Sequence, residues 1–199
     1  MRTVCVWFCC FSFVGFGSGR ESPGEPYTVL VLPDQPYSAV ALEEMGREAS
    51  SILKRSGISL RLHIGYTNEV FDGTLVVVNL RGTCDMEEGP PAVRRGPLGW
   101  THSVNGRLLP FAELACEPIR GAVESALPGQ DASRANTILG RAMGRVLAHE
   151  LYHIAGETFK HGHDGVAQAA LSPEDLISNH LELDRGDVET IQSRASGPR

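Results

Sequence analysis

The sequence has little positive charge and no repeated or low-complexity segment. Its 18 lysines and arginines are outnumbered by 24 aspartates and glutamates, so the net charge is −6. Proteins that bind nucleic acid place clustered basic side chains against phosphates, so this composition excludes nucleic acid as an expected partner. Hydrophobic residues make up 42% and charged residues 21%, which is typical of a folded protein. A length of 199 residues predicts a single domain.

Long hydrophobic runs are also missing, apart from one at the start of the chain. A positively charged start is followed by an uncharged apolar run of fifteen residues, TVCVWFCCFSFVGFG, and then by small residues. This layout predicts a secretory signal peptide over 1–19. The run is short for a membrane span, which needs ~20 apolar residues, and an uncleaved anchor is the alternative. Residues 20–26 are a predicted linker and 27–199 the predicted domain. We expect a secreted or periplasmic protein that leaves the membrane once the signal is cleaved.

Cysteine is scarce outside the predicted signal peptide. Only Cys84 and Cys116 remain after it, an even number for an oxidising compartment. Neither has a histidine or cysteine neighbour at metal-ligand spacing. We predict a disulfide between them, which stabilises by about 3–4 kcal/mol in the chain-entropy model. The alternative is a pair of buried free thiols.

The order of predicted elements is that of an α+β protein. Apolar patterns predict strands at 27–32, 58–64 and 74–80, and the Asn105-Gly106 turn signal predicts a hairpin over 98–116. Apolar patterns and capping residues predict helices at 38–55 and 118–127, a long helix from Asp131 or Ser133 to Gly156, a helix from Ser172, and a helix at 187–194. Pro110 predicts that the second hairpin strand is irregular or at an edge. We expect a mixed sheet with an edge hairpin, packed on a backing helix and on the long helix, and a small C-terminal helical subdomain.

Histidines are concentrated on the long helix and just after it. His149, Glu150 and His153 form an H-E-x-x-H pattern, and residues four apart lie on one face of a helix. Two imidazoles with an adjacent carboxylate suit Zn²⁺, with the carboxylate as general base. The competing interpretation is a pair of ordinary surface histidines. His63 and His102 fall within strand patterns, and we expect no metal role for them.

With Gly156, this segment resembles the zincin metallopeptidases, and within them the metzincins, whose pattern is H-E-x-x-H-x-x-G-x-x-H. The run HELYHIAG…HG…GVA…LSPEDL is also similar to small uncharacterised secreted bacterial proteins. The resemblance implies a zincin-like domain over 27–199. It also implies a methionine turn beneath the metal. The chain has no methionine after Met143, so that turn is absent or replaced by the Val166–Leu171 segment.

The third metal ligand is displaced from the metzincin pattern. The expected position falls on Phe159, and the next histidine, His161, comes two residues later. The resemblance favours His161, with His163 and Asp164 as alternatives. A different zincin arrangement would use Glu174, a carboxylate on a later helix.

The resemblance implies a zinc-dependent peptidase that cleaves a peptide or protein substrate. Zn²⁺ would be held by His149, His153 and His161, and Glu150 would take a proton from the attacking water. Tyr152, His163 and His180 are candidates for stabilising the oxyanion. An extended peptide could pair with the exposed hairpin strand. Two alternatives stay open: a non-catalytic zinc-binding scaffold, and a metal-dependent hydrolase of a non-peptide amide. We expect a monomer.

Overall fold

The computed structural model describes residues 25–87, 96–126 and 132–196. The predicted signal peptide over 1–19 lies outside these ranges, as does most of the predicted linker. The first strand takes in the last two residues of that linker, because it begins at Glu25. Among the described residues, no helix combines the length and the apolar character that crossing a bilayer requires.

A five-stranded mixed sheet forms one layer of the molecule. Its strands, in spatial order, are β2 (Ile58–Ile64), β1 (Glu25–Pro33), β3 (Thr74–Arg81), β5 (Arg107–Ala115) and β4 (Gly99–Val104). The first four run parallel, and β4 pairs antiparallel with β5 at the edge. Central strands β1 and β3 are rich in β-branched residues, which favour a pleated conformation. Val29, Val31, Val76 and Val78 are fully buried in the core.

Two long helices pack side by side on this sheet, as predicted. They are α1 (Ala39–Lys54) and α3 (Ala132–Gly156). The other helices of the described residues are α2 (Cys116–Ala126), α4 (Pro173–Ile177) and α5 (Arg185–Ala195). A Cβ atom at Gly140 of α3 would lie 2.4 Å from the carbonyl oxygen of Ala41, and one at Gly144 would lie 2.8 Å from that of Met45. Two glycines one turn apart therefore let the backbones of α1 and α3 approach closely. The predicted backing helix and long helix are both confirmed.

The sequence predicted that the second hairpin strand is irregular or at an edge, and the structure shows the first of these. β5 lies between β3 and β4, and the edge belongs to β4. Pro110 is tolerated inside the sheet because pairing with β3 starts only at Phe111. On the other side, the β4–β5 register shifts between Thr101 and Ser103. The proline therefore lies where β3 makes no ladder pair and where the ladder to β4 is already irregular.

The predicted disulfide joins Cys84 to Cys116, whose Cα atoms are 5.0 Å apart. It ties the loop after β3 to the first residue of α2, and both cysteines are fully buried. Helix α2 begins two residues earlier than predicted because β5 runs directly into it. Pro118 falls in the first turn, where the missing N–H is not needed by the helix.

The chain ends in a small helical subdomain that packs on α3 through α4 and α5. Both helices begin with a capping box, formed by Ser172 and Asp175 in α4 and by Asp184 and Asp187 in α5. The predicted start of α5 at Asp187 was late, because Asp184 is the capping residue. The predicted α+β architecture is otherwise confirmed.

Candidate metal centre

Helix α3 presents two histidines to one point in space. His149 and His153 are one turn apart, and their Nε2 atoms are 3.1 Å from each other. The helix ends at Gly156, and Glu157 then adopts a positive φ of 44°, which turns the chain back toward His153. The sequence prediction that the helix ends at Gly156 is confirmed.

The segment after this turn, Thr158–Gln168, brings a third histidine to the pair; we call it the ligand loop. The ring centroid of His161 lies 5.3 Å from that of His149 and 4.9 Å from that of His153. One ring nitrogen from each of the three lies within 4.8 Å of the others. Across residues 25–87, 96–126 and 132–196, no other group of three metal-ligating side chains is this close. His161 is therefore the third member of the cluster, as the displaced pattern predicts.

The other candidates for the third ligand lie outside the cluster. His163 and Asp164 are on the same loop as His161, and Glu174 lies in the first turn of α4. None of them joins the group that the three histidines form. Of the four side chains that the sequence left open as the third ligand, His161 is the one that lies in the cluster.

Backbone carbonyl groups orient the first two imidazoles. Nδ1 of His149 lies 2.9 Å from the Val166 oxygen, and Nδ1 of His153 lies 2.7 Å from the Thr158 oxygen. A carbonyl oxygen only accepts hydrogen bonds, so each Nδ1 must carry the proton, which leaves Nε2 with a free lone pair. Burial lowers the pKa of His149 to about 4 and also lowers the pKa of His153. Both rings are therefore neutral near pH 7, as metal ligands must be.

The donor set fits a zinc ion. Tetrahedral zinc with Zn–N bonds of ~2.0–2.1 Å places its ligand nitrogens ~3.3 Å apart. The helical pair, at 3.1 Å, is already close to that spacing, and His161 lies within reach of a small side-chain adjustment. Three ring nitrogens leave a fourth position open, which is the arrangement of catalytic zinc sites.

Glu150 lies beside the histidines and against the edge strand. Its carboxylate oxygen Oε2 accepts a hydrogen bond of 2.8 Å from Thr101 of β4. A Cβ atom at Gly99 would lie 2.9 Å from Oε1, so the absence of a side chain there leaves room for the carboxylate. Burial raises the pKa of Glu150 to about 7, and the Thr101 hydroxyl partly opposes that shift. No pattern in the sequence marked Gly99 or Thr101 as part of the site, because their role depends on how β4 meets α3.

A cavity of about 500 Å³ opens in front of these residues. Its walls come from the start of β4, from α3 and from the ligand loop and the residues after it. The lining residues are Gly96, Pro97, Leu98, Gly99, Trp100, Thr101, Leu108, Val146, His149, Glu150, His153, Phe159, His161, Gln168, Ala169, Ala170 and Leu171. The only ionisable side chains among them are the three histidines and Glu150, so the rest of the lining is neutral.

The segment predicted to replace the methionine turn does lie against the centre. Val166 is fully buried, and its carbonyl group contacts His149. The three oxyanion candidates do not line the cavity. Tyr152 is buried and hydrogen-bonds to Asp187, His163 is exposed, and His180 lies 3.7 Å from Glu182 on the surface. His63 and His102 lie outside the cluster, beside Glu69 and Glu113 respectively.

No protein-family model matches the chain, and no curated protein sequence is significantly similar to it. Among solved structures, archaemetzincin from Methanopyrus kandleri is similar, with a TM-score of 0.51. The match covers 92% of this chain and 99% of the archaemetzincin chain. The chain has a zincin fold of the archaemetzincin type. Sequence identity is 14%, so the likeness concerns the fold alone.

Within this zincin fold, the elements that frame the cavity are the long helix, the antiparallel edge strand and the ligand loop. The two histidines and Glu150 come from the helix, Thr101 from the strand and His161 from the loop. Three separate parts of the chain therefore meet at one centre that combines three imidazole rings with a carboxylate.

Proposed function

We propose that the protein is a zinc-dependent peptidase. The observation that carries this proposal is the convergence of His149, His153 and His161 with Glu150 in one cavity beside an exposed strand edge. The zincin fold supports the proposal but does not by itself assign a function, since folds host many functions. The Zn²⁺ ligands in this proposal are the three histidines.

The side chains of this site divide the chemistry between them. When bound, zinc supplies Lewis acidity, which lowers the pKa of a water molecule and polarises a carbonyl group. Glu150 accepts the proton of the attacking water and delivers it to the leaving amine. Thr101 holds the carboxylate of Glu150 at the edge of β4.

Substrate binding follows from the position of β4. One side of this strand pairs with β5, and its other side is the edge of the sheet. An extended peptide that pairs with this edge would pass directly over Glu150 and the histidines, because Gly99 and Thr101 of β4 already contact Glu150. The substrate in this proposal is therefore a peptide or an extended protein segment.

The decisive experiment compares the wild type with Glu150→Gln. Both proteins should bind one zinc ion with equal affinity, since the substitution leaves all three histidines in place. Turnover of a peptide library should fall ~10²–10⁴-fold in the variant, the range that general-base catalysis contributes. Unchanged turnover in Glu150→Gln would refute the role of Glu150.

The same experiment separates the alternatives. Zinc binding without turnover of any amide would identify a non-catalytic zinc scaffold of the same fold. Turnover of N-acylated non-peptide amides, with peptides left intact, would identify the hydrolase alternative. A wild-type protein that binds no zinc would contradict the peptidase and the zinc scaffold, and one that binds no metal ion would contradict all three.

We also propose that the protein is exported. The buried disulfide between Cys84 and Cys116 supports this, because such bonds persist in oxidising compartments. Mass spectrometry of the protein from the native host should find a chain that begins just after residue 19. Recovery of the full-length reduced chain from the cytosol would contradict export.

A further inference from the structure

The ligand loop controls the orientation of all three histidines. It carries His161 itself, and its carbonyl groups at Thr158 and Val166 accept the Nδ1 protons of His153 and His149. A shift of this loop would move one imidazole directly and would release the other two. Whatever fastens the loop therefore sets the geometry of the whole centre.

Part of that fastening is backbone pairing. The N–H of Gly162 donates to the Ala167 oxygen at 2.8 Å, which closes the loop on itself. The N–H of Val166 donates to the Glu182 oxygen at 2.9 Å, which joins the far side of the loop to the segment before α5. His161 takes part in neither of these two bonds. The first bond reaches it only through the neighbouring residue, Gly162.

One side chain, that of Asp187, packs directly against the part of the loop that contains His161. A Cβ atom at Gly162, the residue after His161, would lie 2.6 Å from both carboxylate oxygens of Asp187. Asp187 is only 3% exposed. A residue with any side chain at position 162 would have to displace this carboxylate.

Asp187 is also held so that it cannot move aside. Its N–H donates to Asp184 Oδ1 at 2.8 Å, and its Oδ2 accepts from the N–H of Asp184 at 3.3 Å. The hydroxyl of Tyr152, the residue before His153, hydrogen-bonds to the same carboxylate. The Asp187 side chain therefore contacts α3, the start of α5 and the ligand loop at once.

We propose that Asp187 is a positioning residue of the metal centre, which fixes His161 through its contact with Gly162. This inference rests on the proposed zinc site. This role is separate from helix capping. Asp184, the other residue of the capping box, is not among the residues whose atoms a Cβ at Gly162 would meet first. The two carboxylates of one capping box thus have different neighbours and offer a matched pair for a test.

The test measures zinc affinity by competition with a chromophoric chelator and thermal stability of the metal-free protein. Asp187→Ala and Asp184→Ala each remove one arm of the same box, so both should lower the melting temperature. Asp187→Ala should also weaken zinc binding ~10–100-fold, the usual effect of losing a group that orients a ligand. Asp184→Ala should bind zinc like the wild type, and Asp187→Asn, which keeps the shape, should restore most of the affinity.

Two further variants test the contact without relying on Asp187→Ala alone. Gly162→Ala should weaken zinc binding and alter the visible spectrum of the cobalt-substituted protein, since the ligand field reports the position of His161. In the Asp187→Ala background, Gly162→Ala should cost little more, because the carboxylate that it displaces is gone.

Three outcomes would overturn the inference. They are wild-type zinc affinity in Asp187→Ala, equal losses in the two capping-box variants, and additive losses for Asp187→Ala and Gly162→Ala. Failure of the wild type to bind zinc would instead overturn the proposed function, so the two failures are distinguishable.

Discussion

The two halves of the candidate metal centre are built on different principles. On α3, regular helical geometry places His149 and His153 one turn apart on the same face, and their Nε2 atoms lie 3.1 Å apart. In the ligand loop, no regular element places His161. Its position depends on backbone bonds within the loop and on the contact of Gly162 with Asp187, twenty-five residues further along the chain. One half is therefore specified locally, and the other half is specified by tertiary structure.

The difference shows how the site is held together. The helical half is part of the hydrophobic core, where Leu147 and Leu151 of α3 are buried. The loop half reaches the core through Val166 and Ala167 at its far end, while the part around His161 is held by backbone hydrogen bonds and by the contact of Gly162 with Asp187. We expect substitutions in the helical half to act on the metal directly, and substitutions around the loop to act through the geometry of the ligands.

The largest effect should come from the helical half. His153→Ala removes a ligand and also the Nδ1–H donor whose hydrogen bond to the Thr158 carbonyl oxygen steadies the loop. If three ligands share a zinc binding free energy of ~10–16 kcal/mol, the loss should be at least ~100-fold in affinity. Isothermal titration with zinc measures this directly. Affinity within a few-fold of the wild type would place the metal elsewhere.

An intermediate effect should come from the edge strand β4. Among the described residues, this strand hydrogen-bonds to Glu150 but to none of the three clustered histidines. Thr101→Val removes the hydroxyl that donates to Glu150 Oε2 while keeping the side-chain shape. We expect kcat to fall ~10-fold, about the value of one hydrogen bond to a charged group, with KM and zinc affinity unchanged.

Thr101→Ser provides the matched control for this variant, since it retains the hydroxyl and should restore kcat. A rise in KM with constant kcat in Thr101→Val would instead assign Thr101 to substrate binding. A loss of zinc affinity would show that the edge strand supports the metal ligands themselves.

The smallest effect should come from a neighbour of the cluster on the ligand loop. His163 is exposed and lies outside the group of three, so His163→Ala should change zinc affinity by less than ~2-fold. The same chelator competition used for Asp187 measures it. A large loss would mean that the loop rearranges when metal binds and that His163 replaces His161.

The contrast between local and tertiary specification also explains what the sequence can predict. The strands, the long helix and its end at Gly156 follow from apolar periodicity and capping, which are local signals. The position of β5 inside the sheet does not. Pro110 is an edge signal when read locally, and only the pairing of β3 from Phe111 onward and the shifted register of β4 make it compatible with an interior strand.

The site divides in the same way. His149, Glu150 and His153 are recognisable because their spacing has a meaning within one helix. The third ligand is not determined by spacing, since His161, His163 and Asp164 all lie within four residues. The roles of Thr101, Gly99 and Asp187 are invisible in the sequence, because each depends on which distant element it meets.

The most direct test of the central claim is anomalous diffraction at the zinc absorption edge from crystals grown with zinc. We expect one strong peak, ~2.0–2.1 Å from a ring nitrogen of each of His149, His153 and His161. A peak coordinated by His163, Asp164 or Glu174 in place of His161, or no peak between the helical histidines, would contradict it.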